Sequence, residues 1–108
     1  MINLYYNPAC SKCRTAKDLL TDLKVEYKIR KYIKDPLTQD ELLIIINKLK
    51  NPIEAIRGGN YKDSLLSVAA ISQLLTSDPT LMQRPIIETD KKAIIGRSPE
   101  LIYQFLNL

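Results

Sequence analysis

A chain of 108 residues, 45% of them hydrophobic and without a repeat or long polar tract, fits one compact domain, residues 1–108, folding around its own core. Two cysteines and no histidine exclude a disulfide scaffold and remove the commonest general base and metal ligand. The net charge of +4 comes from Lys and Arg spread along the sequence with few aromatics, which describes solvated faces and argues against a nucleic-acid surface. No stretch approaches the roughly 20 apolar residues of a membrane span. The N-terminus also lacks the basic start and long apolar centre of a signal peptide, so no membrane association and a cytoplasmic location are expected.

The apolar run over residues 2–6 predicts a first strand, which leads into Asn7-Pro8-Ala9-Cys10-Ser11-Lys12-Cys13-Arg14. From Ser11 the positions Cys13, Ala16, Leu20 and Leu23 follow helical spacing and end near Lys24. A cysteine between a strand and a helix start faces backbone N–H groups and the positive end of the helix dipole, which favours thiolate over thiol. Cys10 is therefore the candidate nucleophile. Cys13 begins the buried stripe and also lies three residues from Cys10, so packing and a resolving role both remain open.

Alternating apolar and charged residues predict a second strand over residues 25–32, with most of its cations on a wet face. Thr38-Gln39-Asp40-Glu41 fits a capping box, followed by a helix whose inner face is Leu42, Ile45, Ile46 and Leu49. Pro52 to Arg57 reads as a short helical turn halted by Gly58-Gly59, where a loop begins. Residues 67–76 form a further helix closed by Asp78-Pro79. Two strands, 84–88 and 93–95, then make a hairpin. Ser98-Pro99-Glu100 opens a last helix carrying Leu101, Ile102, Phe105 and Leu106. Ser11 and Ser98 read as helix caps, with Ser11 also able to meet a bound oxyanion. The order of strands and helices, with Cys-x-x-Cys at the start of the first helix, points to an α/β thioredoxin-like fold, a mixed sheet flanked by helices.

Several stretches together resemble the ArsC-like branch of the thioredoxin superfamily, and within it the glutaredoxin-coupled arsenate reductases. They are Tyr5-Tyr6-Asn7-Pro8-Ala9-Cys10, Arg14, Arg57, Arg84-Pro85-Ile86-Ile87 and Gly96-Arg97-Ser98-Pro99-Glu100. The resemblance implies a cis Arg84–Pro85 bond beside the cysteine. It implies that the Cys10 thiolate attacks arsenate, that Arg57, Arg84 and Arg97 bind the oxyanion, and that Asn7, Ser11, Arg14 and Pro85 support the loop. Guanidinium groups suit this task, because their paired N–H donors match a doubly charged tetrahedral anion.

Glutathione is the implied co-substrate and glutaredoxin the implied partner, with no bound cofactor and no metal. One Cys-x-x-Cys without histidine supplies only two of the four usual zinc ligands. Two departures from the reductase pattern stand out: Tyr6 replaces a histidine, and Cys13 replaces a serine. Spx-type transcription regulators, which bind RNA polymerase, share the Cys-x-x-Cys-Arg pattern of Cys10, Cys13 and Arg14, and both they and YffB-like proteins resemble the chain at Arg84-Pro85 and near Arg57. A redox-sensing regulator and a general glutathione-dependent thiol-disulfide reductase are thus the alternatives. Arg97 is the marker that favours the arsenate reductases, and the end of the sequence at Leu108 weighs against the Spx type.

Overall fold

A computed structural model describes residues 1–58 and 65–107. Strand β1 (Ile2–Tyr5) leads through the cysteine loop into helix α1 (Ser11–Asp22), and β2 (Tyr27–Arg30) precedes α2 (Gln39–Lys48). A 3-10 turn (Pro52–Ala55), helix α3 (Val68–Ser77) and a second 3-10 turn (Pro79–Leu81) follow. The hairpin β3 (Ile86–Glu88) and β4 (Ala93–Ile95) and helix α4 (Pro99–Leu106) complete the chain. The sheet order is β2-β1-β3-β4. β1 runs parallel to β2, with Tyr5 opposite Arg30, and antiparallel to β3, with Leu4 opposite Ile87. No helix among the described residues is long and apolar enough to cross a membrane.

The period of two along the strands divides the core between the two faces of the sheet. Leu4 and Ile87 point to one face, where they meet Cys13, Ala16 and Leu20 of α1 and Ile102 and Phe105 of α4. Tyr5 and Ile86 point to the other, against Leu42, Ile45 and Ile46 of α2 and Ile71 and Leu75 of α3. Each fully buried aliphatic side chain contributes about 1.5–3 kcal/mol. The expected capping box holds α2: the Glu41 N–H donates to Thr38 Oγ1 at 3.1 Å and the Thr38 N–H to Glu41 Oε1 at 3.0 Å. Ser98 caps α4 by accepting the Leu101 N–H at 3.2 Å.

Three features differ from expectation. The second strand is shorter than residues 25–32, because Arg30 curls back onto the following loop and Tyr32 turns into the core. Arg30 donates to the Asp35 and Pro36 carbonyl oxygens at 2.9 and 3.0 Å and pairs with Glu41 at 3.1 Å, so it is not a freely solvated cation. Glu88, at a strand end, is only 5% exposed. It accepts from the Tyr5 hydroxyl at 2.6 Å, from Asn3 Nδ2 at 3.2 Å and from Lys48 Nζ at 2.9 Å. Lys48 also donates to the Thr89 carbonyl at 2.9 Å. Burial, with the Glu88 carboxylate beside it, pushes the Tyr5 phenol well up. The third difference concerns Ser11, which does not cap α1; Cys10 occupies that position. Gly58 ends the 52–57 segment with φ +90, a value that suits glycine, while Gly59 and the loop expected after it lie outside the described residues.

Candidate active site

The loop between β1 and α1 is wired mainly by its own backbone and two side chains. The Cys10 N–H donates to the Asn7 carbonyl at 3.0 Å, and Asn7 Oδ1 accepts the Ala9 N–H at 3.0 Å. Arg14 reaches back one helical turn and donates from Nη1 to the Pro8 carbonyl at 3.0 Å. Asn7 and Arg14 thus fix the shape of the turn that presents Cys10. Ser11 is exposed as the first helical residue, with its carbonyl accepting from Thr15.

Cys10 has extended backbone as the N-cap of α1. Burial pushes the thiol up, but the Cys13 N–H, the Arg84 guanidinium, the Cys13 thiol and the Lys12 N–H outweigh it and bring Cys10 to about 7. Cys13 responds in the opposite sense. It is fully buried on the α1 stripe, and burial together with the neighbouring Cys10 pushes it up to about 12, against the Asn7 N–H 3.5 Å from its sulfur. The pair is therefore asymmetric, a ready thiolate beside a reluctant thiol, and both cysteines are free.

The arginines arrive from the far half of the chain. The Arg84–Pro85 bond is cis, as the resemblance implies. Pro85 is buried, and its carbonyl accepts the Gly96 N–H at 2.8 Å, which ties the start of β3 to the end of β4. Gly96 is needed for this approach, since a Cβ there would lie 2.8 Å from Ile87 Cδ1. The next residue, Arg97, donates from Nη1 to the Arg84 carbonyl at 2.6 Å. Arg84 and Arg97 are thereby held side by side, and the Arg84 guanidinium acts on the Cys10 thiol.

Arg57 is exposed, and its N–H donates to the Leu81 carbonyl at 2.7 Å, while the Gln83 N–H donates to the Ala55 carbonyl at 2.7 Å. Its backbone is thus anchored to the segment that leads into Arg84, and its side chain makes no hydrogen bond among the described residues. Tyr6, standing where the resemblance expects histidine, is buried on the α1 and α4 side.

Sequence reasoning does not single out Tyr32. It lies two residues beyond Arg30, so continuing the β1–β2 register places it level with Asn7. Its ring is in the α2 and α3 core, and its hydroxyl lies within electrostatic reach of Arg84, Cys13 and Cys10. The register extension is the one signal that could have found it.

The sequence profile of the ArsC family matches residues 5–105. The global transcriptional regulator Spx of Streptococcus pyogenes is 30% identical, over 99% of this chain and 86% of its own length. The uncharacterized Escherichia coli protein YfgD is 32% identical, over 97% of this chain and 96% of its own. Among solved structures, the arsenate reductase from Vibrio cholerae superposes with a TM-score of 0.80 at 29% identity, covering 95% of each chain. With its mixed four-stranded thioredoxin-like sheet, its cis-proline and the profile match over nearly all its length, the chain belongs to the ArsC family.

Proposed function

We propose that the chain acts as a single domain in the cytoplasm and reduces arsenate to arsenite through the Cys10 thiolate. The observation that carries this reading is a cysteine brought to about 7 beside Arg84, whose own carbonyl holds Arg97. A nucleophile and two guanidinium groups in one place suit a tetrahedral oxyanion, and Arg57 is assigned to the same anion. Cys10 Sγ attacks arsenic, an S–As bond forms, and hydroxide leaves and is protonated to water. A glutathione thiolate then attacks Cys10 Sγ. An S–S bond forms, the S–As bond breaks, and its electron pair stays on arsenic, which departs as arsenite. Glutaredoxin takes the glutathionyl group and returns Cys10 as thiolate. The two electrons come from two thiols, so no bound cofactor is required. The test is arsenate-dependent NADPH oxidation with glutathione, glutaredoxin and glutathione reductase. Turnover that is lost in Cys10→Ser is expected; absence of turnover in the wild type overturns the reading.

A second reading rests on the asymmetry of Cys10 and Cys13, which suits a disulfide switch of the kind a relative of Spx could use. It predicts that mild oxidation closes a Cys10–Cys13 bond and changes capture of RNA polymerase. Equal or absent capture in both redox states removes it. Unchanged steady-state arsenate turnover in Cys13→Ser makes Cys13 a packing residue.

A further inference from the structure

Two buried polar atoms beside the reacting thiol have no hydrogen-bond partner among the described residues, the Tyr32 hydroxyl and Arg84 Nε. Tyr32 is only 1% exposed, and a buried donor left unpaired is a cost that folds seldom retain without a use. The surroundings explain why no acceptor is at hand. Asn7 Oδ1 already accepts the Ala9 N–H, so the amide offers Tyr32 only its NH2 edge, from which the phenol oxygen can accept while the hydroxyl proton keeps no acceptor. The Cys13 sulfur already faces the Asn7 N–H, and Arg84 is itself a cation. The Tyr32 hydroxyl proton and Arg84 Nε are thus two buried donors left without an acceptor beside the Cys10 site, and such a pair is matched by an anion.

We propose that Tyr32 is a ligand-binding residue of this site, its hydroxyl donating alongside Arg84 Nε to one oxygen of a tetrahedral oxyanion held at Cys10. This assignment rests on the oxyanion reading of the site and adds a neutral donor to its arginines. The hydroxyl stays protonated in the working range, because burial, with the two cysteines, outweighs Arg84 and pushes the phenol up to about 12. It transfers no proton. It binds by hydrogen bonding only, and so contributes to affinity and orientation rather than to charge neutralisation.

The test is protection of Cys10 from iodoacetamide by arsenate, phosphate and sulfate, in the wild type and in Tyr32→Phe. Wild-type alkylation is expected to slow with rising anion. Tyr32→Phe is expected to need about 10-fold or more anion for the same protection, the weight of one hydrogen bond to a charged group. Protection is read against each protein's own anion-free alkylation rate, and the urea midpoint of Tyr32→Phe should be equal or higher, because an unpaired hydroxyl has been removed from the core. Equal protection of the two proteins overturns the assignment of Tyr32 alone. Failure of all three ions to protect the wild type overturns the oxyanion reading and the assignment with it. If Tyr32→Phe does not fold, 3-fluorotyrosine placed at position 32 gives the answer in an otherwise unaltered chain. Its fluorine resonance should shift on saturation with arsenate, and a resonance that stays fixed while Cys10 is protected overturns the proposal.

Discussion

Replacing Arg84 by methionine removes a positive charge that lowers the Cys10 thiol while keeping side-chain bulk and the backbone carbonyl that binds Arg97. Cys10 sits at about 7 where an ordinary cysteine sits at 9.0. At pH 7 that difference separates roughly half thiolate from roughly 1%. Burial works against ionisation, and four donors overcome it, with Arg84 second among them after the Cys13 N–H. Losing Arg84 should raise the midpoint by about one unit, equivalent to about 1.4 kcal/mol of thiolate stabilisation. The assay is the rate of iodoacetamide alkylation between pH 5 and 10, read by mass spectrometry. Cys13, fully buried and pushed up to about 12, stays silent over this range. Arg84→Met is expected to react about 10-fold more slowly than the wild type at pH 6 and to converge with it above pH 9. Arg84→Lys should fall between them, because it keeps the charge and loses the planar fork. A profile for Arg84→Met that superimposes on the wild type would refute the electrostatic account of this thiol.

Other perturbations test the scaffold behind the site. Lys48→Met leaves the Glu88 carboxylate buried without its cation and should cost about 3–5 kcal/mol in urea unfolding. Adding Glu88→Gln should recover much of that loss, and no recovery would mean that the pair is not coupled. Gly96→Ala drives a methyl into Ile87 and should cost about 1–3 kcal/mol, with Ile87→Val relieving part of it; a neutral Gly96→Ala would show that the 2.8 Å approach is not tight in solution. Stability should also depend on pH with two opposed limbs. The folded midpoint of Cys10, about 7, lies below its ordinary 9.0, so between them the unfolded chain binds more protons and stability rises with pH. Cys13 holds its proton in the fold from 9.0 up to about 12, and Tyr32 from 10.0 up to about 12, so stability falls over those windows. Urea midpoints should therefore peak near pH 9, with Cys10→Ser flattening the rise and Cys13→Ser postponing the fall. A steady decline from pH 7 to 9 in the wild type would contradict the sign.

Local signals in the chain foretell most of the elements because each is punctuated where it begins. Thr38 with Glu41 and Ser98 with Pro99 mark helix starts that the hydrogen bonds then confirm. The apolar period of α1 correctly places Cys13, Ala16 and Leu20 inside. What local pattern misses is made by distant partners. Glu88 ends an alternating strand, and nothing near it announces that Lys48, 40 residues away, and Tyr5, 83 residues away, enclose it. The second strand stops short of residue 32 for a similar reason, since the ion pairs of Arg30 come from the loop and from α2. In the site itself, Cys10 and Arg14 are legible from spacing. The adjacency of Arg84 and Arg97 depends on the turn of a hairpin and on a glycine, and Tyr32 is visible only once strand register is known.

The first turn of α1 contains no acidic residue and carries Lys12 and Arg14 at the positive end of the helix dipole. The negative charge that favours this end is the Cys10 thiolate, on which the Cys13 and Lys12 N–H groups act. The free energy that makes the sulfur ionise is therefore also free energy that keeps the helix start closed. A disulfide at Cys10 Sγ, to glutathione or to Cys13, withdraws that charge and loosens the turn beneath it, whereas an arsenic adduct keeps anionic oxygens there. Two consequences follow. Amide protons of Lys12 and Cys13 exchange faster in the disulfide forms than in the thiolate form. A mixed disulfide at Cys10 is also easier to reduce than one at an ordinary cysteine, because its reduction restores the cap. The helix thus acts as a spring that is slack in the disulfide forms and tightens when the free thiolate returns.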